Sequence, residues 1–211
     1  MSFVIAIDGV SGAGKGTLAR LLAEHYGCDY LPTGNIYRLV AKNSIALGLD
    51  LEDEPALVNS VSQISEDQIY SDDLRSDKIA NIASVISKMP NLRKKLDEFQ
   101  RLWIKKRDFC VVEGRDIGIK ICPDAAVKLY LEADLKVRAN RRYKEIISLG
   151  VECDSESVYH DLIARDNRDM TREHSPLSKP EGAEIIDTTF LTVSEMIDRA
   201  VNIVEKKLTM G

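Results

Sequence analysis

Close to the amino end, an apolar run breaks into a turn that sharply limits what this chain can become. Residues 3–8, FVIAID, lead into Gly9-Val10-Ser11-Gly12-Ala13-Gly14-Lys15-Gly16-Thr17, and a helical pattern follows from Leu18 to Tyr26. Gly9, four residues, then Gly14 and Lys15 match the spacing of a phosphate-binding loop. Glycines let the backbone turn tightly and aim its N–H groups at phosphate oxygens. The helix that follows adds the partial positive charge of its N-terminus. Lys15 can then reach the β- and γ-phosphates of a nucleoside triphosphate as a point charge. The position after the lysine, usually Ser or Thr, is Gly16, with Thr17 next. The loop is therefore expected to offer magnesium no direct hydroxyl ligand. Thr17 is expected to bond the α-phosphate, with Mg²⁺ held mainly by water and phosphates. A glycine-rich turn with a solvated lysine is the plainer alternative. The strand before, the helix after and all three loop glycines argue against it.

The rest of the chain alternates in the same way. Continuous apolar runs at Phe3 to Ile7, Phe109 to Val112 and Val127 to Leu131 suit strands buried on both faces, with weaker candidates at Asp29 to Leu31 and Glu184 to Asp187. Helical patterns lie near 15–26, 35–47, 76–88, 91–106, 134–148, 155–168 and 192–208. Such alternation predicts a three-layer α/β fold with a parallel central sheet of about five strands. Residues 53–80 are the least regular and read as a surface insertion, with one short strand candidate at Gln68 to Tyr70. Gly118-Ile119-Lys120-Ile121-Cys122 reads as a strand or surface variation.

Composition narrows the function classes. With 29 Lys and Arg against 34 Asp and Glu in 211 residues, the net charge is −5, which argues against a protein that wraps nucleic acid. No stretch approaches a membrane span, so a cytoplasmic protein with no membrane partner is expected. The four cysteines, Cys28, Cys110, Cys122 and Cys153, form no Cys-x-x-Cys pair and read as reduced thiols. His25, His160 and His174 are not at ligand spacing, so no metal site made by protein side chains alone is expected. Neither a heptad run nor a large apolar face is visible, and a monomer is expected.

The arginines say more. Six of the 14 fall within 138–172, namely Arg138, Arg141, Arg142, Arg165, Arg168 and Arg172. Over that window seven Lys and Arg balance seven Asp and Glu, so this is no polyanion stripe. It reads as guanidinium groups placed one by one for bidentate phosphate recognition. Arg138 and Arg142 share a predicted helix face, and Arg165, Asp169 and Arg172 fall at i, i+4 and i+7 if their helix continues. Arginines at the edge of an apolar stripe would explain any one of these.

The segments GVSGAGKGTLA (9–19), TGNIYR (33–38), IANIAS (79–84), VVEGRDIG (111–118), PDAAVKLYLEA (123–133), RANRR (138–142), ARDNRDMTR (164–172) and IIDTT (185–189) are similar in order and spacing to bacterial cytidylate kinases. That family belongs to the nucleoside monophosphate kinases. The resemblance spans nearly the whole chain, and EGRDIG, PDA and RDNRD in that order are its most specific part. It implies a P-loop kinase that transfers phosphate from ATP to CMP or dCMP, with Mg²⁺ and no covalent catalyst. By that resemblance residues 9–17 bind ATP. Thr33, Arg38, Ser84, Arg93, Arg115, Asp116, Arg165, Asp169 and Arg172 bind CMP. Arg138, Arg141 and Arg142 belong to a lid over the ATP phosphates. Lys15, Arg115, Asp116, Arg138 and Arg142 would carry the chemistry. Glu113 is placed like the acidic residue that holds a magnesium water. One kinase domain is expected, with its core at 1–52, 88–133 and 173–211, a short monophosphate-binding region at 53–87 and a lid at 134–172. The stretch from Leu57 to Ser84 is shorter than in many relatives, which often carry a small three-stranded sheet there; Arg75 lies within it. A kinase for another monophosphate or small metabolite would share Lys15 and the lid but would not need Ser84, Arg93 and Asp169 together, and a regulatory nucleotide-binding module would gain little from a full lid.

Overall fold

The computed structural model describes residues 2–209 and, for Arg75, the backbone alone, so the reach of that side chain lies outside the described residues. Five strands form one sheet: β1 (Phe3–Gly9), β2 (Asp29–Pro32), β3 (Phe109–Glu113), β4 (Val127–Glu132) and β5 (Glu184–Asp187). Their order is β2-β3-β1-β4-β5 and every pairing is parallel. Eight helices connect and cover them: α1 (Lys15–Tyr26), α2 (Thr33–Leu47), α3 (Glu54–Ser60), α4 (Asp77–Ile86), α5 (Pro90–Lys105), α6 (Leu135–Ser148), α7 (Ser155–Thr171) and α8 (Val193–Leu208). Among the described residues, no helix is long and apolar enough to cross a membrane.

The layers follow from the period-two alternation of the strands. Val4 and Ala6 of β1, with Cys110 and Val112 of β3, pack beneath α2 to α5, while Ile5, Ile7 and Val111 face α1 and α8. Both faces are covered, which is why these strands read as unbroken apolar runs. Each fully buried Ile or Leu contributes about 1.5–3 kcal/mol by leaving water. Helix starts are written locally. Asp134 accepts from the N–H groups of Lys136 and Val137, Asp154 from Ser157, and Thr192 and Glu195 form a reciprocal capping box. Helix α5 is capped from elsewhere: the Glu54 carboxylate accepts from the N–H groups of Asn91 and Leu92.

Three expectations are corrected. Residues 53–80 are not a surface insertion and contain no strand. They form α3, three short 3₁₀ turns and the start of α4, with Gln68 to Tyr70 inside the turn Asp67–Tyr70. Leu57, Ile69 and Leu74 are fully buried in the layer formed with α2 and α5. Their spacing follows neither a helical nor a strand period, so periodicity did not mark them as core. Gly118 to Cys122 is not a strand either: Ile117–Ile121 form one π-helical turn. Helix α7 stops at Thr171, so Arg172 is extended backbone rather than its next turn.

Candidate active site

Parallel strands release their connecting loops at one end of the sheet, where ligands of open α/β folds bind. Here a cleft of about 570 Å³ opens over the carboxyl ends of β1, β2 and β3. Its floor is the 9–17 loop. Gly9 has φ +144°, and a Cβ there would lie 2.0 Å from the Leu131 carbonyl oxygen of β4, so only glycine fits. Gly14, at φ +96°, starts α1 without any side-chain cap, which leaves the first-turn N–H groups open to an anion. Ser11, Gly12, Gly14, Lys15, Gly16 and Thr17 line the cleft, whereas Gly9, Val10 and Ala13 lie beneath it.

Lys15 is 6% exposed and its Nζ donates to the Val10 carbonyl at 2.8 Å. Burial, then the Arg115 guanidinium, push its pKa down to about 7, and Glu113 opposes them. Glu113 ends β3 beside the loop: its Oε1 lies 3.9 Å from where a Cβ on Gly16 would be. A side chain at that position would meet this carboxylate at ordinary contact distance.

The three arginines expected in a lid separate. Arg142 lines the cleft, paired with Asp77 of α4 and at 2.8 Å with Glu145. Arg141 also reaches the wall, but it donates to the carbonyl and hydroxyl oxygens of Thr188 at 2.6 and 3.0 Å, and Thr188 donates to Ala13 at 2.9 Å. Arg138 does not line the cleft. Its buried guanidinium donates to the carbonyls of Ser11 and Ala133 at 3.0 and 2.9 Å and pairs with Asp166 at 2.5 Å. The shared helix face of Arg138 and Arg142 is thus divided. One residue clamps the loop from behind, and the other faces the cleft.

Across the cleft the second cluster assembles from five elements. Thr33 opens α2 and donates to the Glu113 carbonyl at 2.8 Å. A Cβ on Gly114 would sit 2.6 Å from that hydroxyl, so the glycine keeps the contact open. Arg38, partly buried on the same helix, is held below its ordinary pKa by burial and then by Arg142. Arg93 is 2% exposed rather than solvated. It pairs with Asp116 at 2.5 Å, donates to the Ser87 carbonyl at 3.0 Å and lies 5.8 Å from the Tyr37 ring centroid. Arg115 and Asp169 meet at 2.8 Å. Burial works against the charge of both, but each holds the other ionised: Arg115 is raised and Asp169 lowered. Burial, with Arg115 nearby, pushes Arg165 down to about 10. Ser84, Arg165, Asp169 and Arg172 all line the same wall. Among the described residues, buried Nε of Arg93, Nε of Arg165 and Nη2 of Arg172 have no hydrogen-bond acceptor. Donors so placed suit an anionic ligand.

Two contributors escaped the sequence reading. Asp8, fully buried at the end of β1, accepts from the N–H groups of Ile117 and Gly118, each at 2.8 Å. Those bonds anchor the turn directly after Arg115 and Asp116. Burial raises the Asp8 pKa to about 6 against the pull of the two N–H groups. A lone carboxylate closing the apolar run FVIAID was its signal. Arg168 is the other: its Nε donates to Ser84 Oγ at 3.1 Å. It was visible only as one arginine of the cluster.

A family model described as cytidylate kinase matches residues 5–206. A cytidylate kinase of Sinorhizobium medicae is 42% identical over 99% of this chain and 98% of its own. One of Brucella suis is 41% identical over 94% of each. Among solved structures, a gluconokinase from Sinorhizobium meliloti superposes with a TM-score of 0.55 at 14% identity, covering 100% of this chain and 97% of its own. A Thermus thermophilus protein gives 0.56 at 16%, covering 98% of each. At such identity these structures support the kinase fold and nothing finer. The match along almost the full sequence goes further, and by it this chain belongs to the cytidylate kinase family.

Proposed function

We propose that the chain transfers the γ-phosphoryl group of ATP to CMP, giving ADP and CDP, and that dCMP is a second acceptor. One observation carries the residue-level reading: a main-chain anion cradle and a cluster of buried guanidinium donors face each other across a single cleft. Phosphoryl transfer between two nucleotides needs in-line placement and neutralised charge more than it needs a covalent catalyst.

On this reading the loop N–H groups and Lys15 hold the donor phosphates, with Thr17 at the α-phosphate. Arg142 closes over them, Arg138 braces the loop from behind and Arg141 braces it through Thr188. Arg38, Arg115, Arg165 and Arg172 receive the acceptor phosphate and sugar, with Asp169 orienting Arg115. Thr33, Ser84, Arg93 and Asp116 receive the nucleoside. Bound phosphate would favour the charged form of Lys15, so binding at pH 8 should take up a proton at Nζ. The Glu113 carboxylate beside the loop is a hard oxygen donor that fits a magnesium ion carried on the phosphates and held through water. When bound, that ion would neutralise charge on the transferring group.

A coupled assay of ADP formation with ATP, Mg²⁺ and CMP, dCMP, UMP, AMP or GMP tests the assignment. CMP and dCMP should be used best. Preference for AMP or GMP overturns it.

A further inference from the structure

Ser84 and Arg168 approach the cleft from opposite sides of its wall. Ser84, on α4, lines the cavity and is 9% exposed. Arg168, on α7, does not line it, and reaches Ser84 from outside the wall with its Nε 3.1 Å from Oγ. One and four residues on, Asp169 and Arg172 of the same segment line the cleft with Arg165. Ser87 Oγ donates to the Ser84 carbonyl at 2.8 Å, which steadies the last turn of α4 beneath that hydroxyl.

A guanidinium can only donate. A serine hydroxyl has one hydrogen and two lone pairs, and here Arg168 occupies a lone pair. The hydroxyl must therefore turn its hydrogen elsewhere. Among the described residues no protein group accepts it. The open direction is the cleft that Ser84 lines. A neutral serine is ordinarily indifferent, donating or accepting as its partner demands. Held this way it favours an acceptor. The two pyrimidine bases differ at this level: N3 of cytosine accepts a hydrogen bond, whereas N3 of uracil carries a hydrogen and donates.

We propose that Arg168 is a positioning residue for base selection: by donating to Ser84 Oγ it fixes that hydroxyl as a donor, matched to the acceptor edge of cytosine and mismatched to N3–H of uracil. The inference rests on CMP being the acceptor nucleotide. Arg168 touches neither base nor phosphate; it acts only through Ser84. Because it comes from the lid and Ser84 from the monophosphate-binding side, selection is completed only when α4 and α7 are together.

The test is the ratio of kcat/KM for CMP to that for UMP in the wild type, Arg168→Lys, Ser84→Ala and the double variant. Lysine keeps the positive charge and removes the Nε donor. Arg168→Lys should lower the ratio about fivefold, the usual worth of one hydrogen bond, mostly through KM. Ser84→Ala should lower it similarly, and the double variant should fall no further than Ser84→Ala alone. The ratio is internal to each preparation, so partial loss of folded enzyme cancels. If Arg168→Lys does not fold, Arg168→Met gives the same reading. Equal changes for CMP and UMP, or an undiminished effect of Arg168→Lys in the Ser84→Ala background, overturn the proposal. A wild type that prefers CMP with an unmoved ratio sinks this assignment alone. A wild type that does not use CMP sinks it together with the proposed function.

Discussion

The carboxylate of Asp8 and the backbone N–H of Ile117 meet at 2.8 Å, across 109 positions of sequence. Through this contact and its twin at Gly118, the strand that launches the phosphate loop also anchors the turn following Arg115 and Asp116. The two sides of the cleft share one support.

Asp8→Asn should expose that coupling. An amide offers one acceptor oxygen where two N–H groups now converge, so one is left facing an NH₂ group. Activity should fall about tenfold through a displaced Arg115. The pH dependence has a definite sign. The folded pKa, raised to about 6, exceeds the ordinary value of 3.8. Its stabilising contribution is therefore full below 3.8 and lost as pH rises through about 6. The melting-temperature difference, wild type minus Asp8→Asn, should be larger at pH 4 than at pH 7.5. A difference that does not change with pH would contradict this.

Lys15→Met should abolish most activity, by about 10²–10³-fold in kcat, as for loss of a preorganised electrostatic contact to the reacting group. It should also change stability in a pH-dependent way. Lys15 is lowered from 10.5 to about 7, so its contribution is most favourable above 10.5 and is lost as pH falls through about 7. Methionine removes that cost but also the bond to Val10. Relative to wild type, the variant should be more stable at pH 6 than at pH 9.5, as read by thermal denaturation at the two values.

Arg138→Met and Arg142→Met should divide stability from rate. Loss of Arg138 leaves Asp166 buried without its guanidinium and should cost about 3–5 kcal/mol in urea denaturation. Arg142 pairs with Asp77 and Glu145, which are about half exposed, so its loss should cost about 1 kcal/mol or less in stability. Its effect should appear in kcat instead. Equal stability losses would refute the separation.

Arg93→Met breaks the buried pair with Asp116 and should destabilise the fold by about 3–5 kcal/mol. It should also raise the KM for CMP while leaving the KM for ATP near wild type, as expected if Arg93, which lines the cleft, receives the nucleoside of CMP as proposed. Steady-state kinetics with each substrate varied in turn decides the matter.

Periodicity and turn chemistry are local, and they were enough for the scaffold. FVIAID before three spaced glycines specified strand, loop and helix, and the buried runs at 109–112 and 127–131 specified further strands of a doubly covered sheet. The resemblance of EGRDIG, PDA and RDNRD to one family indicated which side chains to watch, and the fold brings Thr33, Arg38, Ser84, Arg93, Arg115, Asp116, Arg165, Asp169 and Arg172 to one cleft. Partnership was not legible. An arginine on a helix face reads the same whether it bonds a loop carbonyl, as Arg138 does, or lines a cleft, as Arg142 does, because a long flexible side chain does not encode its acceptor. Leu57, Ile69 and Leu74 lie in aperiodic turns, so only packing against α2 and α5 showed them to be core. The contacts of Asp8 with Ile117 and of Arg168 with Ser84 join residues 109 and 84 positions apart. Local pattern sets which groups are offered; chain closure in three dimensions sets which of them meet.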